Sequence, residues 1–532
     1  MAQALRSTGR VSVAVLGSRV LGLVREIVFA ALFGAGGVAD SYTVAFRIPN
    51  LLRDLLAEGA LSSAFVPTFT AALHNEGEER AHALGNLLLS VQLILTGTLT
   101  LAGMVWSEEI VILMSEGFGG DEHKVALAAR LARVMMPILS LVTLGAVWMG
   151  MLNARRRFVM PALAPALFNV VSIVAGAVVW LLGAPVEQGV MYWSMGTLAA
   201  GAAQAGLQLP SLWRLGYRPW LRLRGVWNDP GIRRIARLMA PALVGLAAVQ
   251  INIFVNTRFA GSLSDGAVAQ LSYAFRLFFL PLGVFGVALA TVTTTHVSEE
   301  AAKGDRSALL ARVAESASAG LMLTSASAVG LLVLAVPVTR LVYAHGATSV
   351  ADAEAIGFVL QAYMLGLLPY SLVKIFAPAF YTIDRPRIPL LASASAVAVN
   401  IVFNALTHER LGTPGIALGT GLGALTNIFV LRVAFSRIVG ALPVERRLAR
   451  AGALLCANAV MGAVVFGAWW GATELAPQLG LSDWPVYVLA PVLLVLIGVG
   501  FLVYARVLRA FGYPGADLLW SMPARLFRRF RR

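Results

Sequence analysis

The chain is poor in charge and has almost no cysteine: only 13% of its 532 residues are charged, and Cys456 is the single thiol. One cysteine excludes an internal disulfide, and the six histidines form no pair at metal-ligand spacing, so metal and thiol redox chemistry have no seat. Acids are scarcer than bases, 27 against 42, which leaves a net charge of +15. Such a surplus suits nucleic acid only if the bases gather on a soluble face, and here they fall between hydrophobic runs.

What the chain does have is apolar length. Hydrophobic residues make up 58% of it, and its mean hydropathy of +0.77 lies far outside the soluble range. About fourteen spans of bilayer length can be placed. They begin near residues 11, 38, 84, 126, 158, 188, 231, 265, 308, 351, 388, 414, 448 and 485. The first stretch, GSRVLGLVREIVFAALFG, is too long and too charged for a cleavable signal and reads as a retained helix. Alternate loops hold Arg155 to Arg157, the Arg214 to Arg237 cluster, Lys303 with Arg306 and Arg312, Arg385 with Arg387, and Arg437 to Arg450. The opposite loops hold only Lys124, Arg258, Arg340 and Arg410. That asymmetry predicts a multi-pass membrane protein with both termini in the cytoplasm.

A repeat runs through the chain. Ala45-Phe46-Arg47-Ile48 returns 229 positions later as Ala274-Phe275-Arg276-Leu277, and the same offset relates Arg155-Arg156-Arg157-Phe158 to Asp384-Arg385-Pro386-Arg387. The expected fold is all-α and polytopic, with two pseudo-symmetric six-helix lobes at 1–225 and 226–445. Two C-terminal helices at 446–515 lie outside the repeat, and a basic tail follows at 516–532. Transporters commonly place substrate at such a repeat interface.

Several cations fall inside spans, and a central arginine costs about 2.5–3.5 kcal/mol on insertion scales. Arg19, Arg25, Arg47 and Arg53 could be neutralised one for one by Glu26, Asp40, Asp54 and Glu58. Arg276 and Lys374 have no acid near them in sequence. A cavity lined by Arg19, Arg25, Arg53 and Arg276 would suit an anionic, phosphorylated ligand, because guanidinium grips phosphate oxygens bidentately.

SRVLGLVRE, FGAGGVADSYTVAFRIPNLLRDLLAEGALSSAFVP, NARRRFVMPALAPALFN, PLGVFGVALATV and VKIFAPAFYTIDRPRIP closely resemble the MurJ/MviN family of bacterial lipid II flippases. That family lies within the superfamily that also holds MATE exporters and polysaccharide flippases. The resemblance implies fourteen helices in two lobes around a cationic cavity, with the last two helices forming a groove for the lipid tail. It carries the substrate-binding role to Arg19, Arg25, Arg53 and Arg276, with Glu26, Asp40, Arg47, Glu58 and Lys374 supporting or gating. The implied partners are lipid II, membrane lipids and cell-wall synthesis machinery, the implied location is the bacterial cytoplasmic (inner) membrane, and alternating access is the implied mechanism.

Two places depart from the family. Relatives often carry acids beside and three residues after the arginine of the eighth span, where Phe275 and Phe279 stand here. Some relatives bind sodium through carboxylates, whereas the matching positions here are Asn256, Asn400, Asn404 and Thr420. Amides in place of acids argue against sodium coupling, and no other cofactor is implied. A flippase for another undecaprenyl-linked glycan stays open. A MATE-like exporter of cations would need an acidic cavity. A lipid-phosphate enzyme would need a nucleophile, an acid pair or a metal site that the loops do not show. Gly415, Gly419 and Gly423 within GTPGIALGTGLGA read as close helix packing rather than a nucleotide loop.

Overall fold

The structure is a computed structural model that describes residues 2–57, 60–283, 305–442, 447–479 and 484–521. Among the described residues every regular element is a helix. The chain divides into two compact units, Met1–Ala269 with His345–Thr348, and Gln270–Ala344 with Ser349–Arg532.

The first unit holds α1 (Ala2–Phe33), α2 (Gly37–Leu56), α3 (Ala60–Asn75), α4 (Glu78–Val105), α5 (Ser107–Ser115), α6 (Glu122–Met135), α7 (Ile138–Ala154), α8 (Val159–Leu182), α9 (Val186–Gly206), α10 (Leu209–Trp213) and α11 (Pro230–Gly261). Helix α1 lies against α8, α8 against α9, α2 against α6, and α11 against α3 and α5. Phe65, Phe69, Leu84, Met151 and Tyr217 form part of one core. The contacts of α11 with α2, α3 and α5 carry the first unit through Ala269. The segment His345–Thr348 belongs to this unit because Ala347 N–H donates to Ala31 O (2.8 Å) and the Thr348 hydroxyl donates to Ala30 O (2.8 Å). Gly346 is needed there: its φ is +61°, and a Cβ would sit 2.2 Å from the Ala31 carbonyl oxygen.

The second unit holds most of α12 (Ala267–Pro281), then α13 (Arg306–Tyr343), α14 (Val350–Leu365), α15 (Leu367–Thr382), α16 (Arg387–Ile438), α17 (Arg447–Leu475) and α18 (Val486–Ala510). Helices α14 and α15 meet at a 45° bend. The 52 residues of α16 break at Gly412, whose φ is +60°, so two spans follow one another there. The halves pack through small residues: a Cβ on Gly423 would lie 2.9 Å from Ala396 O, and one on Gly419 would lie 2.1 Å from Asn404 Oδ1. The glycine run is a helix-packing face, as the spacing predicts.

Helices begin within a few residues of most of the places that hydropathy marks; the exceptions are α1, which starts at Ala2 rather than near 11, and the place near 414, where α16 breaks at Gly412 instead of a new helix starting. By length and apolarity alone, eight stretches pass as membrane spans, or ten if each of two bent pairs counts as one.

The last two spans are fixed to α13. Tyr504 on α18 donates to Met322 O (2.7 Å) and lies 3.1 Å from Ser325 Oγ, to which Asn458 Nδ2 on α17 also donates (3.0 Å). Phenylalanine at Tyr504 would strip this buried network of its hydroxyl. We expect a loss of about 1 kcal/mol, typical of an interhelical hydrogen bond in a membrane protein, read as a lowered melting temperature in detergent.

Candidate functional site

The intramembrane charges of the first unit sit on α1 and α2. Arg25 Nη2 lies 3.4 Å from Glu26 Oε2, and its guanidinium stands 5.4 Å from the Phe168 ring centroid on α8. Glu26 is buried while Arg25 is half-buried, so the pair straddles the edge of the packed interior. Arg19 is exposed on α1. The two arginines are six positions apart, about 120° around an ideal helix, so one is exposed and the other half-buried.

On α2, Arg53 donates to Asp54 Oδ1 from Nη2 (2.7 Å) and from Nε (3.1 Å), while Gln250 Nε2 on α11 lies 3.5 Å from Asp54 Oδ2. Arg47 donates to the Thr257 hydroxyl on α11. These bonds tie α2 to α11.

Asp40 corrects the one-for-one pairing of acids with arginines. Its carboxylate accepts from Ala269 N–H and Gly266 N–H, both at 2.8 Å, and its remaining contact is Lys124 Nζ at 3.5 Å. Among the described residues no arginine is bound to it. Lys124 also reaches Asp265 Oδ1 (2.7 Å) and stands over the Phe118 ring. Asp40 thus caps the start of α12, and a lysine expected in an open loop is only 6% exposed. Glu58 lies outside the described residues.

In the second unit, Arg276 is exposed on α12. Lys374 on α15 is also exposed, lies 5.9 Å from the Tyr370 ring centroid, and pairs with no carboxylate among the described residues. Phe275 and Phe279 lie with ring centroids 5.0 Å apart and tilted by 55°, and Phe275 and Phe278 contact Tyr363. Phe278 and Phe279 contact Tyr370. These rings form an aromatic cluster worth roughly 0.5–1.5 kcal/mol per pair beyond burial.

The residues matched to a sodium site do not fit a charge-compensating one. Asn400 Oδ1 accepts from Asn404 Nδ2 at 3.4 Å, and Thr420 donates its hydroxyl to Ile416 O. Asn256 donates to Asn252 Oδ1 within α11. All are neutral, and buried cations need anionic ligands or many oxygens. Among the described residues no three His, Cys, Asp or Glu side chains gather in a metal-holding group.

A family model, Lipid II flippase MurJ, matches residues 29–487. The chain belongs to the MurJ family. It is 33% identical over 95% of its length to a protein of Rhizobium meliloti described as a probable lipid II flippase MurJ, and the match covers 93% of that protein. A MurJ relative from Vibrio cholerae is likewise 33% identical, over 97% of each chain. Of solved structures, a lipid II flippase MurJ in an inward closed conformation matches with TM-score 0.78 at 23% identity, over 96% of this chain and 99% of that one. An inward-facing MATE transporter of the MOP superfamily matches with TM-score 0.64 at 18% identity, over 80% and 95%. The MurJ fold is therefore the fold of this chain.

Sequence reasoning missed the partners that lie far along the chain from these charges: Phe168 for Arg25, Thr257 for Arg47, Gln250 for Asp54, and the Lys124 and Asp265 pair beside Asp40. Only the apolar setting of Lys124 in a helix start, EHKVALAARLARVM, hinted at its burial.

Proposed function

We propose that this chain moves lipid II from the cytoplasmic to the periplasmic leaflet of the inner membrane by alternating access, with both termini in the cytoplasm. Arg19, Arg25, Arg53 and Arg276 would engage the pyrophosphate and sugar head, assisted by Lys374. The lobes at 1–225 and 226–445 supply these groups, and α17 with α18 would take the polyprenyl tail. The observation that carries the reading is the set of cations inside apolar helices of a MurJ-family chain. Lys374 has no carboxylate partner among the described residues, which leaves its charge available to an anion.

Each arginine has a fork of donors that matches phosphate geometry, and its attraction strengthens where water is excluded. Movement of the head needs no covalent step, so no nucleophile or cofactor is called for. Sodium coupling is not part of the proposal, because the matched positions are amides and a hydroxyl. The driving force is the membrane potential, which contributes about 2.3 kcal/mol per charge per 100 mV to outward movement of an anionic head.

If half of that field is crossed at the transition state, collapsing 100 mV should slow transport about sevenfold per charge. The test is rescue of cells depleted of their own flippase, followed by a translocation assay with and without a protonophore. Growth rescue with a voltage-sensitive rate supports the proposal. Failure of the normally expressed chain to rescue growth would refute lipid II as substrate, and an unchanged rate would refute voltage driving.

A further inference from the structure

The strongest unassigned feature is the segment that joins α9 to α11. It carries Arg214, Arg218, Arg222 and Arg224, and the first two turns of α11 add Arg233, Arg234 and Arg237. None of these seven pairs with a carboxylate among the described residues, since Asp229 is held by Arg80 (3.0 Å) and by the start of α11. Between the arginines stand large apolar side chains turned outward: Trp220 is 75% exposed and Trp227 81% exposed, with Leu221 and Leu223 beside them.

This segment is built, not slack. Tyr217 is fully buried and donates to Asn86 Oδ1 (2.7 Å), Trp220 N–H donates to the same oxygen (3.1 Å), and Arg222 N–H donates to Ser90 Oγ (2.7 Å). Arg233 Nε donates to Trp227 O (2.7 Å), which fixes one guanidinium against the tryptophan. The stretch Pro230–Ala240 is bent 53° from the rest of α11. It buries Ile232, Ile235 and Met239 and turns Arg233, Arg234 and Arg237 outward, an amphipathic pattern. Asn228, Pro230, Leu238 and these three arginines line an open cleft of about 470 Å³.

We infer that this cleft binds the phosphate headgroup of an acidic phospholipid, with Trp220 and Trp227 seated at the membrane interface beside it. A free anion would need only the arginines. Exposed tryptophans and leucines next to a polybasic cluster at the end of a span match a lipid surface, where indole rings settle at headgroup level and arginines hold phosphate. The occupant is therefore a membrane lipid, and the cleft's lining includes none of Arg19, Arg25, Arg53 and Arg276.

The test titrates the full chain in detergent with phosphatidylglycerol, with phosphatidylcholine of the same chains, and with inorganic phosphate, reading bound lipid by native mass spectrometry. R233Q/R234Q/R237Q should weaken phosphatidylglycerol binding by about tenfold or more and leave phosphatidylcholine unaffected. R385Q/R387Q/R437Q, which removes the same charge elsewhere, should change little. Should the first variant melt early, R234Q and R237Q singly carry the test, because neither side chain has a carboxylate partner to lose. Equal weakening in both triple variants, no weakening at all, or displacement of the lipid by millimolar phosphate would each overturn the inference.

Discussion

Arg25→Ala, Arg53→Ala and Arg276→Ala should each fail to support growth in cells that depend on this chain, at normal expression. A guanidinium that holds two phosphate oxygens makes two charge-assisted hydrogen bonds, each worth about 1.5–3 kcal/mol. Losing both weakens the grip on the head by roughly two to four orders of magnitude. Alanine at Arg25 also removes the partner 3.4 Å from buried Glu26, and alanine at Arg53 removes the partner of Asp54, so folding must be separated from function. Lysine does this: it keeps the positive charge beside each acid and loses the planar fork. Arg25→Lys and Arg53→Lys should therefore express and melt close to the parent while transporting far more slowly. Normal growth of all three alanine variants would show that these arginines do not bind the head.

Lys124→Ala should be the most destabilising single change described here. Its ammonium lies between buried Asp40 (3.5 Å) and the exposed carboxylate of Asp265 (2.7 Å), and removing one partner of a buried ion pair costs about 3–5 kcal/mol, because the Asp40 charge stays behind in low dielectric. Asp40 cannot retreat to water, since its two oxygens also hold the amides of Gly266 and Ala269. Thermal unfolding in detergent reads the loss. Adding Asp40→Asn to Lys124→Met should recover much of it, as the neutral amide keeps one acceptor for the α12 start and the methionine keeps the apolar stem. A double variant no more stable than Lys124→Ala would show that the lysine acts through packing rather than charge.

Much of the fold was legible because hydropathy is a local property. Starts near 38, 158, 351 and 485 fall within two residues of the observed helices Gly37–Leu56, Val159–Leu182, Val350–Leu365 and Val486–Ala510. The turn at Gly412 was legible as a break between two spans, and Gly419 with Gly423 as a packing face. The partners of the charges were not legible, because they depend on which helices meet. Asp40 sits two turns from Arg47 in sequence, yet it binds Lys124 and the amide of Ala269. Ala269 occupies the place in the second copy of the repeat that Asp40 occupies in the first. The acid survives in one copy alone and caps the helix of the other, a role that only the fold displays.

Phe275 and Phe279 teach the complementary lesson. Both phenylalanines were plain in sequence, but the packed rings of Phe275, Phe278, Phe279, Tyr363 and Tyr370 appear only when the helices are seen together. Arg276 and Lys374 lie on helices that carry this cluster.

The central claim is that this MurJ-family chain carries lipid II. The most direct measurement reconstitutes the purified chain into liposomes with labelled lipid II in one leaflet and times its appearance in the other, with and without an excess of a different undecaprenyl-linked glycan. The account predicts protein-dependent transfer of lipid II that the second glycan leaves nearly unchanged and that Arg276→Ala abolishes. Transfer no faster than in protein-free liposomes, or preferred transfer of the competing glycan, would contradict it.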